Sequence, residues 1–121
     1  SQFLWNIQDN EEIVIYGDGS QTRDFTYVVD LCNAIIKGME TDSENAKANV
    51  YNIGTSETYT VNEMIGILEE LTGKKSEKKC IENPIKNYVQ DTKADTTKIK
   101  TELNFEATYS LRDGIKDILG V

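Results

Sequence analysis

The spacing of apolar positions changes several times along this chain, and each change marks an element. Phe3, Leu4 and Ile7 fall at helical spacing, so residues 1–8 read as the tail of a helix. Behind Glu11 and Glu12, the β-branched and aromatic run Ile13-Val14-Ile15-Tyr16 ends at Gly17-Asp18-Gly19-Ser20, a strand entering a tight, hairpin-like turn. Arg23 to Tyr27 resumes an extended pattern with Phe25 and Tyr27 on one face. Helical spacing returns from Val28 to Met39. There Val28, Leu31, Ile35 and Met39, with Cys32 and Ile36 alongside, predict an amphipathic helix that turns this stripe to the core. Residues 40–49 are polar and irregular.

The second half repeats the alternation. Val50-Tyr51-Asn52-Ile53 predicts a strand stopped by Gly54. Thr60-Val61-Asn62-Glu63 is a capping box, opening a helix with Met64, Ile65, Leu68 and Leu71 inward and Gly73 at its end. Lys78 to Ile81 predicts a short edge strand, and Pro84 marks a loop. Asp95 caps a helix over 96–103, and Ser110-Leu111-Arg112-Asp113 opens a final helix that runs to Leu119. The expectation is one compact α/β unit spanning residues 1–121, with short strands and several helices.

Composition narrows the classes of function. Leu, Ile, Val and Phe number 30 of 121 residues, enough to bury a core. Acidic residues outnumber basic ones by 21 to 13, for a net charge of −8. A nucleic-acid binder draws its affinity from a basic stripe, and the only lysine pairs, Lys74-Lys75 and Lys78-Lys79, read as a solvated edge. No apolar run approaches a membrane span. Nucleic acid and membrane are therefore not expected partners. The absence of histidine excludes a Ser-His-Asp triad, an imidazole base and a His-ligated metal. Cys32 and Cys80 lack metal or redox spacing, as expected of a reduced cytoplasmic protein. The chain begins mid-pattern on Ser1 rather than on Met, and reads as a piece of something longer.

Few residues carry chemistry by type and spacing alone. Gly17-Asp18-Gly19 lacks the third glycine of a dinucleotide fingerprint, since Thr22 stands there, and an extended segment follows in place of a helix. A turn's need for positive φ explains these glycines. Arg23 is one of only two arginines; its planar guanidinium suits phosphate oxygens, while an ion pair with Asp24 or Asp30 explains it as well. Thr55, Ser56 and Thr58 form a polar loop that could also take an anion. Tyr88, beyond Pro84, can stack on a base or shield the core. No carboxylate pair for acid–base work is identifiable among Asp18, Asp24, Asp30 and Asp91.

The order of motifs adds what their chemistry alone does not. Residues 15–30 resemble the GDGxxxRDFxYVxD segment of extended short-chain dehydrogenases/reductases that act on nucleotide sugars. Residues 50–55 through Val61-Asn62-Glu63 resemble the family's NxGxG strand and helix start, with Ser56 where a glycine is usual. Ala94-Asp95 with Lys98, Leu103-Asn104-Phe105 and Ser110-Leu111 resemble its closing stretch.

The resemblance implies the small C-terminal substrate domain of an extended Rossmann-type sugar-nucleotide epimerase, akin to UDP-glucose 4-epimerase. Its NAD-binding Rossmann domain, carrying the glycine fingerprint and a catalytic Tyr-x-x-x-Lys, would lie outside this chain. Residues 1–121 alone would then be inactive. The intact protein would oxidise the sugar transiently with NAD and act as a homodimer. This portion would hold the nucleotide-diphosphate sugar, pack on its own Rossmann domain through a partly apolar face, and self-associate without it.

Within the resemblance, Arg23 matches the diphosphate contact, and Tyr16, Gly17, Asp18, Gly19 and Ser20 match the segment lying against the nucleotide. The loop after Pro84 departs from the Arg-x-Gly-Asp of most 4-epimerases and looks more like that of ADP-heptose epimerases. That makes Tyr88 the nucleotide contact and Lys86 a substitute phosphate partner. A nucleotide-sugar 4,6-dehydratase or an ADP-heptose-type epimerase is the nearest alternative, and an acidic, non-catalytic interaction module the alternative of another class.

Overall fold

The structure is a computed structural model that describes residues 2–41 and 49–121. Its elements run α1 (Gln2–Asp9), β1 (Ile13–Tyr16), β2 (Thr22–Arg23), α2 (Val28–Glu40), β3 (Tyr59–Thr60), α3 (Val61–Thr72), β4 (Lys78–Ile81), α4 (Thr97–Leu103) and α5 (Leu111–Leu119). Packing gathers the chain into two compact units where the alternation of the sequence predicts one. Ser1–Arg23 joins Tyr59–Thr92, and Asp24–Thr58 joins Lys93–Val121.

The first unit holds all the named strands. β1 pairs with β4 in parallel, Ile13 opposite Lys78 and Tyr16 opposite Ile81, and β2 pairs antiparallel with β3. The turn after β1 therefore joins strands of two different sheets and is not a hairpin. Ile13 and Ile15 point inward while Val14 and Tyr16 point outward, as the two-residue period of a strand requires. α1 and α3 close over them, and Leu4, Ile7, Val61, Met64, Ile65 and Leu68 complete an apolar core.

The helix ends follow their sequence signals. Thr60 Oγ1 accepts from Glu63 N at 3.0 Å while the Glu63 carboxylate accepts from Thr60 N at 2.7 Å, closing the capping box. Gly73 takes the left-handed conformation that ends α3. The free side of β4 carries exposed Lys78 and Lys79, charges that discourage further strand pairing. Glu69, buried on α3, accepts from Ser76 N and Oγ and pairs with Lys75 and Lys78. Those lysines thus serve a local ion pair, in keeping with the edge reading.

The second unit is built from α2, α4, α5 and extended segments. Its core is Ala34, Ile99, Leu103 and Phe105, with Tyr51 and Ile53 packed against it. Two carboxylates replace much of the apolar glue. Asp30 accepts from Thr108 N, Thr108 Oγ1 and Tyr109 N, all within 3.0 Å. Asp24 accepts from Thr55 N, Thr55 Oγ1, Ser56 N and Ala94 N. Burial alone would raise the Asp24 pKa, but the bonds from Thr55, Ala94 and Ser56 outweigh it and hold the carboxyl below its ordinary range. Gly54 sits where a Cβ would meet Ala94 and the Asp24 carboxylate.

Three expectations are corrected here. The stripe of α2 predicted to face the core is exposed, at 42% for Leu31, 53% for Ile35 and 81% for Met39; the residues α2 buries are Asp30 and Ala34. Helical spacing locates an apolar face and is silent about what covers it. Residues 50–53 form no strand, and beyond Arg23 the segment 24–27 is also unpaired, because a strand needs a neighbour that spacing does not supply. α4 begins at Thr97, with Asp95 Oδ1 accepting from its N–H at 3.0 Å. Of the polar stretch 40–49, residues 42–48 lie outside those described.

Candidate functional site

The first unit contains a cavity of about 420 Å³ lined by α1, β1 and residues that follow them, among them Phe3, Tyr16, Gln21 and Tyr88. Its position follows from the strand period: Ile15 turns to the core, which leaves Val14 and Tyr16 to form a wall. α1 contributes half-buried Phe3, one turn before buried Ile7 on the same face, and α3 contributes Val61 from its first turn.

The turn after Tyr16 is held rigidly. Gly17 and Gly19 have φ of 75° and 79°, a region that favours glycine. Asp18 Oδ1 accepts from Ser20 N at 2.9 Å, an Asx turn, and the Ser20 side chain together with this N–H lowers its pKa. Asn62 clamps the far side: its Nδ2 donates to Asp18 O at 2.9 Å and its N–H to Gly19 O at 3.1 Å. Gly19 lies so close to the Asn62 side chain that a Cβ would run into it. Ser20 Oγ accepts from Gln90 Nε2 at 3.2 Å.

β2 also suspends the loop that carries Tyr88. Thr22 N donates to Gln90 O and Thr92 N donates to Thr22 O, while Thr22 Oγ1 donates to Asp91 Oδ1 at 2.7 Å. Arg23 completes the attachment. Its Nη1 donates to Thr22 O at 2.6 Å and Gln90 O at 2.9 Å, its Nη2 donates to Val89 O at 2.8 Å, and the guanidinium stacks on the Tyr88 ring at 5.0 Å.

Neither carboxylate weighed for Arg23 is its partner, since Asp24 and Asp30 bind backbone elsewhere. Its partners are neutral carbonyls, so the positive charge is not cancelled. Three of the five guanidinium N–H groups are engaged, which leaves two for an anion. A fixed cation of this kind loses little entropy on binding phosphate.

Tyr16, the turn from Gly17 to Ser20, Arg23 and Tyr88 therefore come together. Lys86 is exposed and does not line the cavity. Gln21 and Asn62 were missed by sequence reasoning; the only sequence signal for Asn62 is its place inside the capping box. The hydroxyl loop after Gly54 does bind an anion, the chain's own Asp24. Ser56, standing where the family's glycine is usual, has φ of 61° and bonds Ala94 O and Thr96 Oγ1 through its hydroxyl.

NAD does not fit these residues. A dinucleotide pyrophosphate needs a glycine turn that opens directly onto a helix N-terminus, and here the glycine turn opens onto β2. Among the described residues no group of His, Cys, Asp and Glu could hold a metal ion, and no helix is long and apolar enough to cross a membrane.

Known proteins share this arrangement of segments. The profile of the GDP-mannose 4,6 dehydratase family matches residues 1–118. A UDP-glucuronate 4-epimerase of Thermodesulfobacterium geofontis is 34% identical over 116 residues, covering 95% of this chain and 34% of the relative. A UDP-N-acetyl-alpha-D-glucosaminuronate decarboxylase of Bacillus cytotoxicus is 28% identical over 125 residues, covering 98% of this chain and 37% of the relative. The crystal structure of a Bacillus cereus UDP-glucuronic acid 4-epimerase, in complex with UDP-glucuronic acid and NAD, superposes with a TM-score of 0.87 at 32% identity. That match covers 94% of this chain and 36% of the solved one. The chain thus spans about a third of the length of these relatives.

Proposed function

This chain belongs to the GDP-mannose 4,6 dehydratase family, whose relatives include NAD-dependent UDP-sugar epimerases, dehydratases and decarboxylases, and on that footing we propose that it binds the nucleotide diphosphate of a UDP-sugar. The observation that carries this reading is Arg23: a guanidinium anchored by three neutral carbonyl contacts, its charge uncancelled, stacked on a tyrosine that lines an aromatic-walled cavity. In this reading Arg23 takes the diphosphate, Tyr16 and the turn from Gly17 to Ser20 flank the nucleotide, and Tyr88 stacks on it. Lys86 is at most a long-range electrostatic aid to the phosphates. The task of these residues is positioning: a sugar held by its diphosphate reaches the reacting groups in one orientation.

Epimerisation is the reaction proposed for the intact protein, as in the T. geofontis and B. cereus relatives. The oxidising cofactor and the proton-transferring tyrosine are assigned to the two thirds of the relatives' length that this chain does not match. Residues 1–121 by themselves are proposed to bind substrate without turning it over. The second unit supports a partner of that kind. Leu31, Ile35, Ile36 and Met39 expose an apolar helix face, and we assign it to the dinucleotide-binding part of the same protein.

Calorimetric titration of this chain with UDP, dTDP and ADP sugars tests the reading. UDP-sugar is expected to bind, and Arg23→Ala to weaken it by about tenfold or more, the loss of a charge-assisted contact. Binding unchanged in Arg23→Ala would sink the diphosphate assignment, and binding of no nucleotide by the folded chain would favour the acidic interaction module.

A further inference from the structure

The cavity of the first unit includes one buried polar side chain whose bonding is half complete. Gln21 is 4% exposed, follows the glycine turn and lines the cavity. Its Nε2 donates to Tyr16 O at 2.9 Å, and its own carbonyl accepts from Val61 N at 3.1 Å. A backbone carbonyl can only accept, so the contact with Tyr16 settles which end of this amide is nitrogen and which is oxygen. Oε1 accepts no hydrogen bond. Yet among the described residues no fully buried side-chain nitrogen or oxygen lacks a partner, so Oε1 retains accessible surface, and the residue that carries it lines the cavity. The result is a rigidly held acceptor in a pocket whose apolar and aromatic walls are Phe3, Val14, Ile15, Tyr16, Val61 and Tyr88, with the amides of Gln2 and Asn6 also on its lining.

A flat ring fits between such walls, and the acceptor rewards a ring that offers it an N–H. Resting on the nucleotide-diphosphate reading, we infer that Gln21 is the base-reading residue of this site, its Oε1 accepting from the imide N3–H of uracil or thymine. Cytosine presents an acceptor at N3, so it would face Oε1 with two lone pairs and leave both unsatisfied. A site built around a hydrogen bond discriminates far more sharply than one built on shape, because the wrong ligand strands a buried polar group. The anchor on Tyr16 O matters as much as the acceptor, because it prevents the amide from flipping to offer cytosine its NH₂ instead.

The experiment is a calorimetric comparison of UDP, CDP and N3-methyl-UDP on this chain and on Gln21→Met, with Arg23→Ala alongside. Wild type is expected to prefer UDP over both competitors by about tenfold or more, and Gln21→Met to erase most of that preference while keeping its dependence on Arg23. Equal binding of UDP and N3-methyl-UDP to wild type, with Arg23 still required, overturns the role of Gln21 and leaves the nucleotide reading standing. So does a UDP preference retained in Gln21→Met. Absence of UDP binding to wild type, or indifference to Arg23→Ala, removes the nucleotide reading and this inference with it. Should Gln21→Met fail to fold, the N3-methyl comparison on wild type decides alone.

Discussion

The two compact units solve the same problem, holding a short chain together, by different means. The first builds an apolar core, burying Leu4, Ile7, Ile13, Ile15, Met64, Ile65 and Leu68 among α1, α3 and β1, while Trp5, Val14, Ile85 and Val89 stay at the surface. The second leaves a row of large apolar side chains outside and fastens its loops with the carboxylates of Asp24 and Asp30. A monomer seldom exposes a contiguous apolar row without a use for it. The contrast is one of arrangement: the second unit gathers several exposed apolar side chains on one helix face, the face proposed above as a contact surface.

The sharpest way to break that comparison is to truncate one isoleucine in each unit. Ile65 is 0% exposed, and Ile65→Ala is expected to cost about 3–4 kcal/mol through lost burial and an unfilled cavity. Ile35→Ala, on the exposed face of α2, is expected to cost under about 0.5 kcal/mol. Trp5, the only tryptophan, lies in the first unit, so its fluorescence during urea denaturation reports that unit. A separate readout is needed for the second, and amide exchange at Thr108 and Tyr109 supplies one. Equal costs for the two truncations would mean that the α2 face is covered in solution.

Breaking a carboxylate in the second unit comes next. Asp30 is 1% exposed and serves two backbone N–H groups and one hydroxyl. Asp30→Ala strands all three donors, at about 2–3 kcal/mol. Exchange at Thr108 and Tyr109 should accelerate accordingly, while the Trp5 transition stays in place. A shift of both transitions together would show that the units unfold as one.

How much of this was legible beforehand differs between the units for a physical reason. In the first unit the local signals, the two-residue period of Ile13 to Tyr16, the capping box at Thr60 and Gly73 at the helix end, each describe the residues that carry them. Structure followed. In the second unit the spacing on α2 does locate a helix, but the stripe it marks is not core, and the run Val50 to Ile53 forms no strand, because both expectations needed a partner. Sequence spacing fixes a period and cannot name what lies opposite. The site divides the same way. Tyr16, the glycine turn, Arg23 and Tyr88 were found through ordered motifs, whereas Gln21 and Asn62 act through bonds to residues 5 and 44 positions away, which no local pattern encodes.

Acid should also separate the units, through Glu69. Burial raises the pKa of this carboxyl, but the bonds from Ser76 and the Lys78 ammonium outweigh it and hold it down to about 2, from an ordinary 4.5. Because the folded value is the lower one, the stabilisation is fully present above the ordinary value and is lost as pH falls from about 4.5 through 2. The first unit should therefore lose roughly 2 kcal/mol over that window, and Glu69→Gln should flatten the dependence of the Trp5 transition on pH. The second unit has its own acid-sensitive group in Asp24, also held below its ordinary range, so exchange at Thr55 should respond to acid even in Glu69→Gln. A wild-type Trp5 transition that does not move between pH 5 and pH 3 would rule out the Glu69 contribution.

The smallest effect on stability belongs to the exposed apolar face of α2. Leu31→Lys with Ile35→Lys places two charges on a face that is already half exposed, so the fold should change by under about 0.5 kcal/mol. What should change is association. A face of this kind, uncovered, offers a second copy the burial it lacks, so wild type is expected to sediment increasingly as a larger species as its concentration rises, and the double variant to remain monomeric. The two measurements separate the roles that one helix combines. If α2 were core, the lysines would unfold the second unit; if it is a contact surface, they leave the fold alone and abolish the contact. A wild type that sediments as a clean monomer at high concentration would show that exposure alone does not make this face adhesive.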